Sequence, residues 1–195
     1  MLAAKAGLVG MSMTNTEAIM VPTFGRQAML GTNPFSLAVP AQRNDPFDLD
    51  MATSVVARGK VVLAQKEGKS IPKGWAVDKN GADTTDPNAV LDGGYMLPFG
   101  GPKGYAISLF IDLMCSCLGG ADNCRTTSHF WSDYDRPQNI GYFMYVIDPS
   151  KFVPDGSFTN RVDDMLDEFK NCPTAPGVDR VYIPGEIEAG NGRTS

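Results

Sequence analysis

The chain has 195 residues, of which 43% are hydrophobic, and carries 17 Lys and Arg against 22 Asp and Glu for a formal charge of −5. That length suits one domain, or one and a part, with enough apolar material for a sizeable core. A mildly acidic chain with no basic block excludes a general nucleic-acid binder. No apolar run reaches membrane-spanning length, since 106–118 is short and contains Asp112.

Residues 1–7 resemble the last turn of a helix with a glycine stop and show no cleavable signal pattern, as if the chain began in the middle of a fold. The run 8–13 is apolar between turn residues and predicts a buried strand, followed by the polar loop Thr14-Asn-Thr-Glu17. Residues 18–22 form a second short extended piece and Phe24-Gly-Arg26 a turn. Gly31-Thr-Asn-Pro34 is a compact turn in which Asn33, preceding a proline, is biased to an extended backbone. Strands follow at 35–39 and 47–51. A helix is expected over 55–67, capped by Thr53 or Ser54, with Gly59 as its weak point.

Asp78-Lys-Asn-Gly81 has Asn-Gly turn chemistry, and Trp75 can anchor that loop on the core. Phe99-Gly-Gly-Pro-Lys-Gly-Tyr105 runs into an apolar segment that ends at Gly119-Gly120. Pro102 suits a first helical turn, and the segment 105–118, apolar on most faces, predicts a buried helix. Lys103 would stand where free N–H groups and the helix dipole favour an anion, a carboxylate or a phosphate. The irregular stretch 121–138 has Trp131 and Tyr134 as expected anchors. Residues 140–147 form the clearest strand, ended by Asp148-Pro149. An amphipathic helix is expected over 158–170, with Phe158, Val162, Met165, Leu166 and Phe169 inward and Asp163, Asp164, Asp167 and Glu168 as a solvated face. A short strand at 181–183 leads to the turn Pro184-Gly-Glu186, and the tail 191–195 reads as frayed. Strands and helices alternate irregularly, with several strands adjacent. This predicts an α/β chain with a mixed sheet and flanking helices rather than a doubly wound parallel one.

Three nucleotide and hydrolase signatures are absent. Gly-Gly-Pro-Lys-Gly-Tyr does not fit the P-loop, no Gly-x-Gly-x-x-Gly follows a strand, and there is no Gly-x-Ser-x-Gly elbow. Cys115, Cys117, Cys124 and Cys172 with the single His129 make a poor metal set, so free thiols and no metal site are expected. His129 is the one imidazole available for acid–base work. A hydrolase built on it is a weak third reading, which activity surviving His129→Ala would dispose of. Asp50 reads either as a helix cap or as a carboxylate that holds a ribose hydroxyl or orients a catalytic group. The remaining chemistry lies in short polar turns at strand ends, including Thr14–Glu17, Gly31–Pro34, Asp50–Thr53, Pro102–Gly104 and Pro184–Glu186.

In this order those turns resemble one family. The matching stretches include Ala4-Lys-Ala-Gly-Leu-Val-Gly-Met-Ser-Met13, Gly31-Thr-Asn-Pro-Phe35, Asp50-Met-Ala-Thr-Ser54, Trp75-Ala-Val-Asp-Lys-Asn-Gly81, Gly101-Pro-Lys-Gly-Tyr105, Asn139-Ile-Gly141 and Tyr182-Ile-Pro-Gly-Glu186. They cover nearly the whole chain and are similar to the malate/L-lactate dehydrogenase family, which includes ureidoglycolate, sulfolactate and piperideine-carboxylate dehydrogenases. The resemblance implies a cofactor fold distinct from the Rossmann fold, in agreement with the missing glycine fingerprint. It also implies a homodimer, expected in the cytoplasm, that moves a hydride between NAD or NADP and a 2-hydroxy or 2-oxo acid. Position by position it implies cofactor contacts at Thr16, at Asp50, Met51 and Ala52, at Lys103, at Gly185 and Glu186, and at the turn Thr32, Asn33 and Pro34 beside the nicotinamide.

The resemblance also implies departures. The family's acid–base histidine sits in a Gly-His motif upstream of the position of Leu2, and its C-terminal tail runs beyond about Glu188. The chain is therefore expected to be a single, incomplete cofactor-binding domain, truncated at both ends and without the proton-transfer group. Gln138 stands where ureidoglycolate enzymes carry a substrate arginine, which disfavours that substrate. The alternative is a catalytically inactive cofactor-binding or dimerisation module.

Overall fold

The computed structural model describes residues 1–130 and 132–192; Trp131, expected as an anchor, and 193–195, expected as frayed, lie outside the described residues. The chain divides into two compact units, one made of Met1–Ser12, Ser36–Asp50 and the stretch from Met144 onward, the other of Met13–Phe35 and Met51–Phe143.

In the first unit, helix α1 (Leu2–Lys5) ends at Gly7, whose φ is 75°. Strands β1 (Val9–Thr14), β2 (Phe35–Val39), β3 (Phe47–Met51) and β7 (Tyr142–Ile147) form a four-stranded sheet in the order β3-β2-β1-β7. The alternating sequences of β2 and β3 account for their bounds, and Pro40 and Pro46 punctuate them. β7, the most apolar strand, lies at the edge of this order, with Tyr142, Met144, Tyr145, Val146 and Ile147 all exposed.

The strand expected at 181–183 does not form. The carbonyl of Pro184 accepts the N–H of Asp48 at 3.3 Å, but a proline has no N–H to return, and the ladder does not propagate. A turn closed by Glu186 N–H to Ile183 C=O leads into α6 (Glu186–Gly192).

Helix α5 (Phe158–Lys170) has the expected bounds but turns a different face inward. Met165 and Phe169 are exposed, Leu166 is buried, and Asp163 is 0% exposed. Asp163 is thus not part of a solvated acidic face. Its Oδ2 accepts the N–H groups of Gln42 (3.0 Å) and Arg43 (2.9 Å), and its Oδ1 accepts the N–H (2.8 Å) and side-chain amide (3.1 Å) of Asn44. A turn with three unpaired backbone donors and a carboxylate with four lone-pair directions complete each other, and that outweighs the apolar stripe.

In the second unit the core is built on Met20, Leu30, Val61, Ile71, Ala76 and Met96, with Trp75 and Tyr105 packed against it. Met20 bridges antiparallel to Leu30 and parallel to Met96, so the short extended pieces here combine both senses. The Asp78–Gly81 turn closes a hairpin between β4 (Ala76–Val77) and β5 (Asp83–Thr84); β4 also pairs antiparallel with β6 (Tyr95–Met96). Asp78 Oδ1 accepts the N–H groups of Asn80 and Ala82, and Gly81 takes a φ of 84°.

Helix α2 (Arg58–Lys66) begins later than expected, with Ala57 at its N-cap. Thr53 and Ser54 do not cap it, because their hydroxyls donate to the carbonyls of Thr32 and Val56. Asp50 is not its cap either, lying within β3. Asp86 caps the short α3 (Pro87–Leu91) by accepting Asn88 N–H.

Helix α4 (Pro102–Asp112) starts at Gly101, as its proline predicts, and continues as a π-helix over Leu113–Leu118. The Ser116 hydroxyl donates back to the Asp112 carbonyl there, a bond that competes with the regular ladder. The expectation of a helix buried on most faces is corrected. Ile111 and Cys115 are buried, but Phe110 is 49%, Leu113 50% and Leu118 68% exposed. An all-round apolar helix calls for cover on every side, and the described residues supply it on one. Tyr134, expected as an anchor, is 78% exposed. Among the described residues no helix is long and apolar enough to cross a membrane, the four cysteines are free thiols, and no cluster of metal-ligating side chains occurs.

Candidate functional site

In the second unit the expected site residues Thr16, Thr32, Asn33 and Pro34 are brought together by one polar network centred on the buried Asn33. β1 delivers the loop after Thr14. Thr16 N–H donates to Asn33 Oδ1 at 3.0 Å, and Thr32 N–H donates to Thr16 Oγ1 at 3.1 Å. Pro34 C=O accepts Thr14 N–H at 3.2 Å. Gly31 permits this approach, since a Cβ there would collide with Thr16 Oγ1 and stand 2.5 Å from Asn33 Oδ1.

Asn33 is not extended, as its place before proline predicts. Its φ is 22°, a region asparagine tolerates better than most residues, and it is 0% exposed. Its amide nitrogen donates to Ser108 C=O at 2.9 Å and to Asp112 Oδ2 at 3.2 Å. With both donors and the acceptor engaged, the amide holds the turn against its backbone preference.

Asp112 is buried beneath this turn. Burial pushes its carboxyl above the ordinary value, against hydrogen bonds from Asn33, Ser116 and the Cys124 N–H. The spacing of Ser108 and Asp112, four residues apart on α4, puts both on one face beneath Asn33. A carboxylate inside an apolar helical run is the sequence signal that could have singled out Asp112.

Thr53 was also missed. It is 0% exposed, and its N–H (2.8 Å) and hydroxyl (2.9 Å) both donate to Thr32 C=O. Its own carbonyl accepts Phe99 N–H at 3.0 Å, and Phe99 C=O accepts Gly104 N–H at 2.9 Å. Thr53 therefore links Met51 and Ala52, which precede it, to the start of α4, where Lys103 is exposed.

His129 lies apart from that network. Its Nδ1 is 3.3 Å from Glu17 Oε2, which also accepts Phe130 N–H at 2.7 Å. The neighbouring hydroxyls of Ser128 and Ser132 donate to Pro137 C=O and Asp133, so the hydrolase arrangement is not assembled.

In the first unit Asp50 and Gly185 come together around a groove of about 570 Å³, which the expected site residue Glu186 does not line. Asp48, Asp50, Tyr182 and Glu188 contribute its polar side chains, and Leu49, Ile183 and Ile187 its apolar ones. Gly185, with a φ of 94°, lies so close to β3 that a Cβ would stand 2.9 Å from Asp48 Cβ and 3.0 Å from its carbonyl oxygen. Asp48 Oδ1 is buried and has no hydrogen-bond partner.

The Glu186 carboxylate is occupied. It meets Lys170 Nζ at 2.8 Å and Arg180 at 2.6 Å, and accepts Ile183 N–H at 3.1 Å. Burial raises its pKa, but these bonds and the two positive charges outweigh that and hold it below the ordinary value. Glu186 thus clamps the 180–186 turn, while Asp50 is exposed toward solvent.

Comparison with known proteins places this architecture. The sequence model for malate/L-lactate dehydrogenase matches residues 1–195. The chain is 38% identical to a malate dehydrogenase of Pyrococcus horikoshii, over 95% of this chain and 52% of that protein. It is 40% identical to the ureidoglycolate dehydrogenase (NAD(+)) of Escherichia coli O157:H7, over 94% and 52%. The sulfolactate dehydrogenase structure from Methanocaldococcus jannaschii superposes with a TM-score of 0.87 at 40% identity, over 99% of this chain and 55% of that one. The chain spans about half the length of the curated relatives it matches. Its mixed α/β fold with flanking helices is that of the sulfolactate and malate dehydrogenases, and the colinear turns, the matching sequence model and the shared fold together establish that the chain belongs to the malate/L-lactate dehydrogenase family.

Proposed function

We propose that the chain acts as a single nicotinamide-cofactor-binding domain of a cytoplasmic oxidoreductase. The reaction is hydride transfer between NAD(P) and a 2-hydroxy or 2-oxo acid of the malate or lactate type. The observation that carries this reading is the groove at Asp48–Asp50 and Pro184–Glu188. A buried carboxylate oxygen without a partner and a cradle that only glycine leaves open both suit a polar, hydroxyl-bearing ligand.

The chain's own residues divide the work. Asp50 and Asp48 accept hydrogen bonds from ribose hydroxyls. Lys103, at the start of the eleven-residue α4, where the expected free N–H groups are instead taken by the carbonyls of Gly100, Phe99 and Gly101, adds an ammonium to the positive end of the helix dipole and holds a phosphate oxygen. Thr16 has its oxygen engaged by Thr32 N–H, which leaves its hydroxyl proton to donate toward the nicotinamide side. Met51 and Ala52 supply contact surface, and Asn33 and Pro34 shape the turn. When bound, the cofactor supplies or accepts the hydride. The reduction also needs a proton at the substrate oxygen, and a general acid in that role is worth on the order of 10²–10⁴ in rate. His129, paired with Glu17, is assigned no part in that proton transfer.

Titrating NADH by its fluorescence tests this reading. Saturable binding is expected, and Lys103→Ala and Asp50→Ala should each weaken it about tenfold, or ~1.4 kcal/mol. Absence of saturable binding, or variants that bind like the parent chain, would falsify it.

The exposed apolar residues of α4 and the following π-helix favour a second reading, a module that pairs with another copy to form a homodimer. Sedimentation of the parent chain and of Phe110→Asp decides it. A dimer that the aspartate turns into monomer supports pairing, and a monomeric parent chain rules it out. A chain that binds NADH and dimerises yet turns over neither malate, lactate nor their 2-oxo acids is the inactive module.

A further inference from the structure

We propose that Asp48, Asp50 and Glu188 make the groove selective for a nucleotide whose ribose carries both hydroxyls free, so that the chain takes NAD(H) and rejects NADP(H). This rests on the cofactor reading above and adds to it the choice between the two nicotinamide nucleotides.

The two ligands differ at one position. NAD offers a 2′-hydroxyl, a donor. NADP offers a phosphate there, with acceptor oxygens and a charge of about −1.5 to −2 near neutral pH. Ionised carboxylates only accept, so they complement a vicinal diol and cannot bond a phosphate dianion. The groove carries three such groups, Asp48 and Asp50 from β3 and Glu188 from α6, and among the described residues no basic side chain lines it.

The two cations that meet the turn beside the groove are already committed. Lys170 and Arg180 both meet Glu186, at 2.8 Å and 2.6 Å. Arg180 also stacks over the Tyr182 ring, 4.3 Å from its centroid. Lys170 further donates to Asn44 Oδ1 at 2.6 Å. To reach a 2′-phosphate either cation must leave the half-buried Glu186 carboxylate, which would then stand short of a partner in its own turn. Counting Glu186, four carboxylates face two cations, and the local field is negative. Gly185 lets the turn lie directly against β3 beside Asp48.

The test is a pair of titrations of the full chain with NADH and NADPH, repeated for Asp50→Asn and Glu188→Gln. Both substituted side chains are exposed, so the variants are expected to fold. NADH should bind about 100-fold more tightly than NADPH. Each neutralising variant should narrow that ratio about three- to tenfold, chiefly by improving NADPH, whereas a merely structural effect would weaken both nucleotides alike. Raising the salt concentration should narrow the ratio in the parent chain more than in the variants. Equal binding of the two nucleotides, or a ratio that neither variant moves, overturns the inference and leaves the cofactor reading standing. Failure of both nucleotides to bind removes that reading and the inference with it.

Discussion

Asn33→Ala is expected to cost roughly 3–5 kcal/mol in urea unfolding, because it strips several buried partners at once. Ser108 C=O and the Asp112 carboxylate each lose a hydrogen bond in a buried place, and the partly buried Thr16 N–H loses one as well. Alanine also tolerates the φ of 22° less well than asparagine does. The loss should couple to Asp112. In a double-mutant cycle with Asp112→Ala, the pair should destabilise by at least ~1 kcal/mol less than the sum of the single changes. Strict additivity would mean that the two side chains act independently.

A pH dependence follows with a defined sign. Burial raises the Asp112 carboxyl above its unfolded value, so the folded state holds its proton longer than the unfolded state does. That contribution favours folding at low pH and is lost as pH rises through the raised value. Asn33→Ala removes a bond that lowers it, so the variant's deficit should shrink on acidification. The same variant should weaken NADH binding, since Thr16 and Thr32 are held through Asn33.

Asp163→Asn should be nearly as damaging, by roughly 2–4 kcal/mol, although it exchanges one atom for another of similar size. The carboxylate accepts from three backbone N–H groups and an amide, whereas asparagine would turn an NH₂ group toward some of those donors. Burial alone would raise the Asp163 carboxyl; the hydrogen bonds from Asn44, Arg43 and Gln42 overcome this and bring it down to about 2. With a depressed folded value, the unfolded state binds the proton more readily. The stabilisation is therefore complete above the unfolded carboxylate range near pH 4 and is lost as pH falls through about 2. Unfolding at pH 7 and pH 3 should show the gap between parent and variant shrinking in acid. A gap that stays constant would show that the charge contributes nothing.

These two sites show why some features were legible in the sequence and others were not. The strands at Phe35–Val39 and Phe47–Met51 and the helix at Phe158–Lys170 follow from local alternation, helical spacing and proline punctuation, and they formed with those bounds. Turn chemistry is equally local. Asp78–Gly81 closed a hairpin, and Pro102 opened a helix where a proline costs no hydrogen bond. Asp163 was misread because periodicity sorts side chains by polarity, while the three unpaired N–H groups of residues 42–44 that claim it are 120 residues away. The same limit hid Thr53, whose hydroxyl serves Thr32 rather than a helix.

By itself, then, the sequence determined the mixed α/β class, most element positions and, through a colinear series of short turns, the family. Those are properties of neighbours along the chain, where steric and hydrogen-bonding preferences act within a few residues. Only the tertiary structure decided that Asn33 abandons the extended backbone its proline favours, because three distant partners outweigh a local bias of about 1–2 kcal/mol. Only it decided that Asp112 is buried under that turn, that α4 leaves an apolar face uncovered, and that the Glu186 carboxylate is spent on Lys170 and Arg180 while Asp48 keeps an oxygen free. Burial and the pairing of charges depend on what is brought near in space, and spacing along the chain does not carry that information.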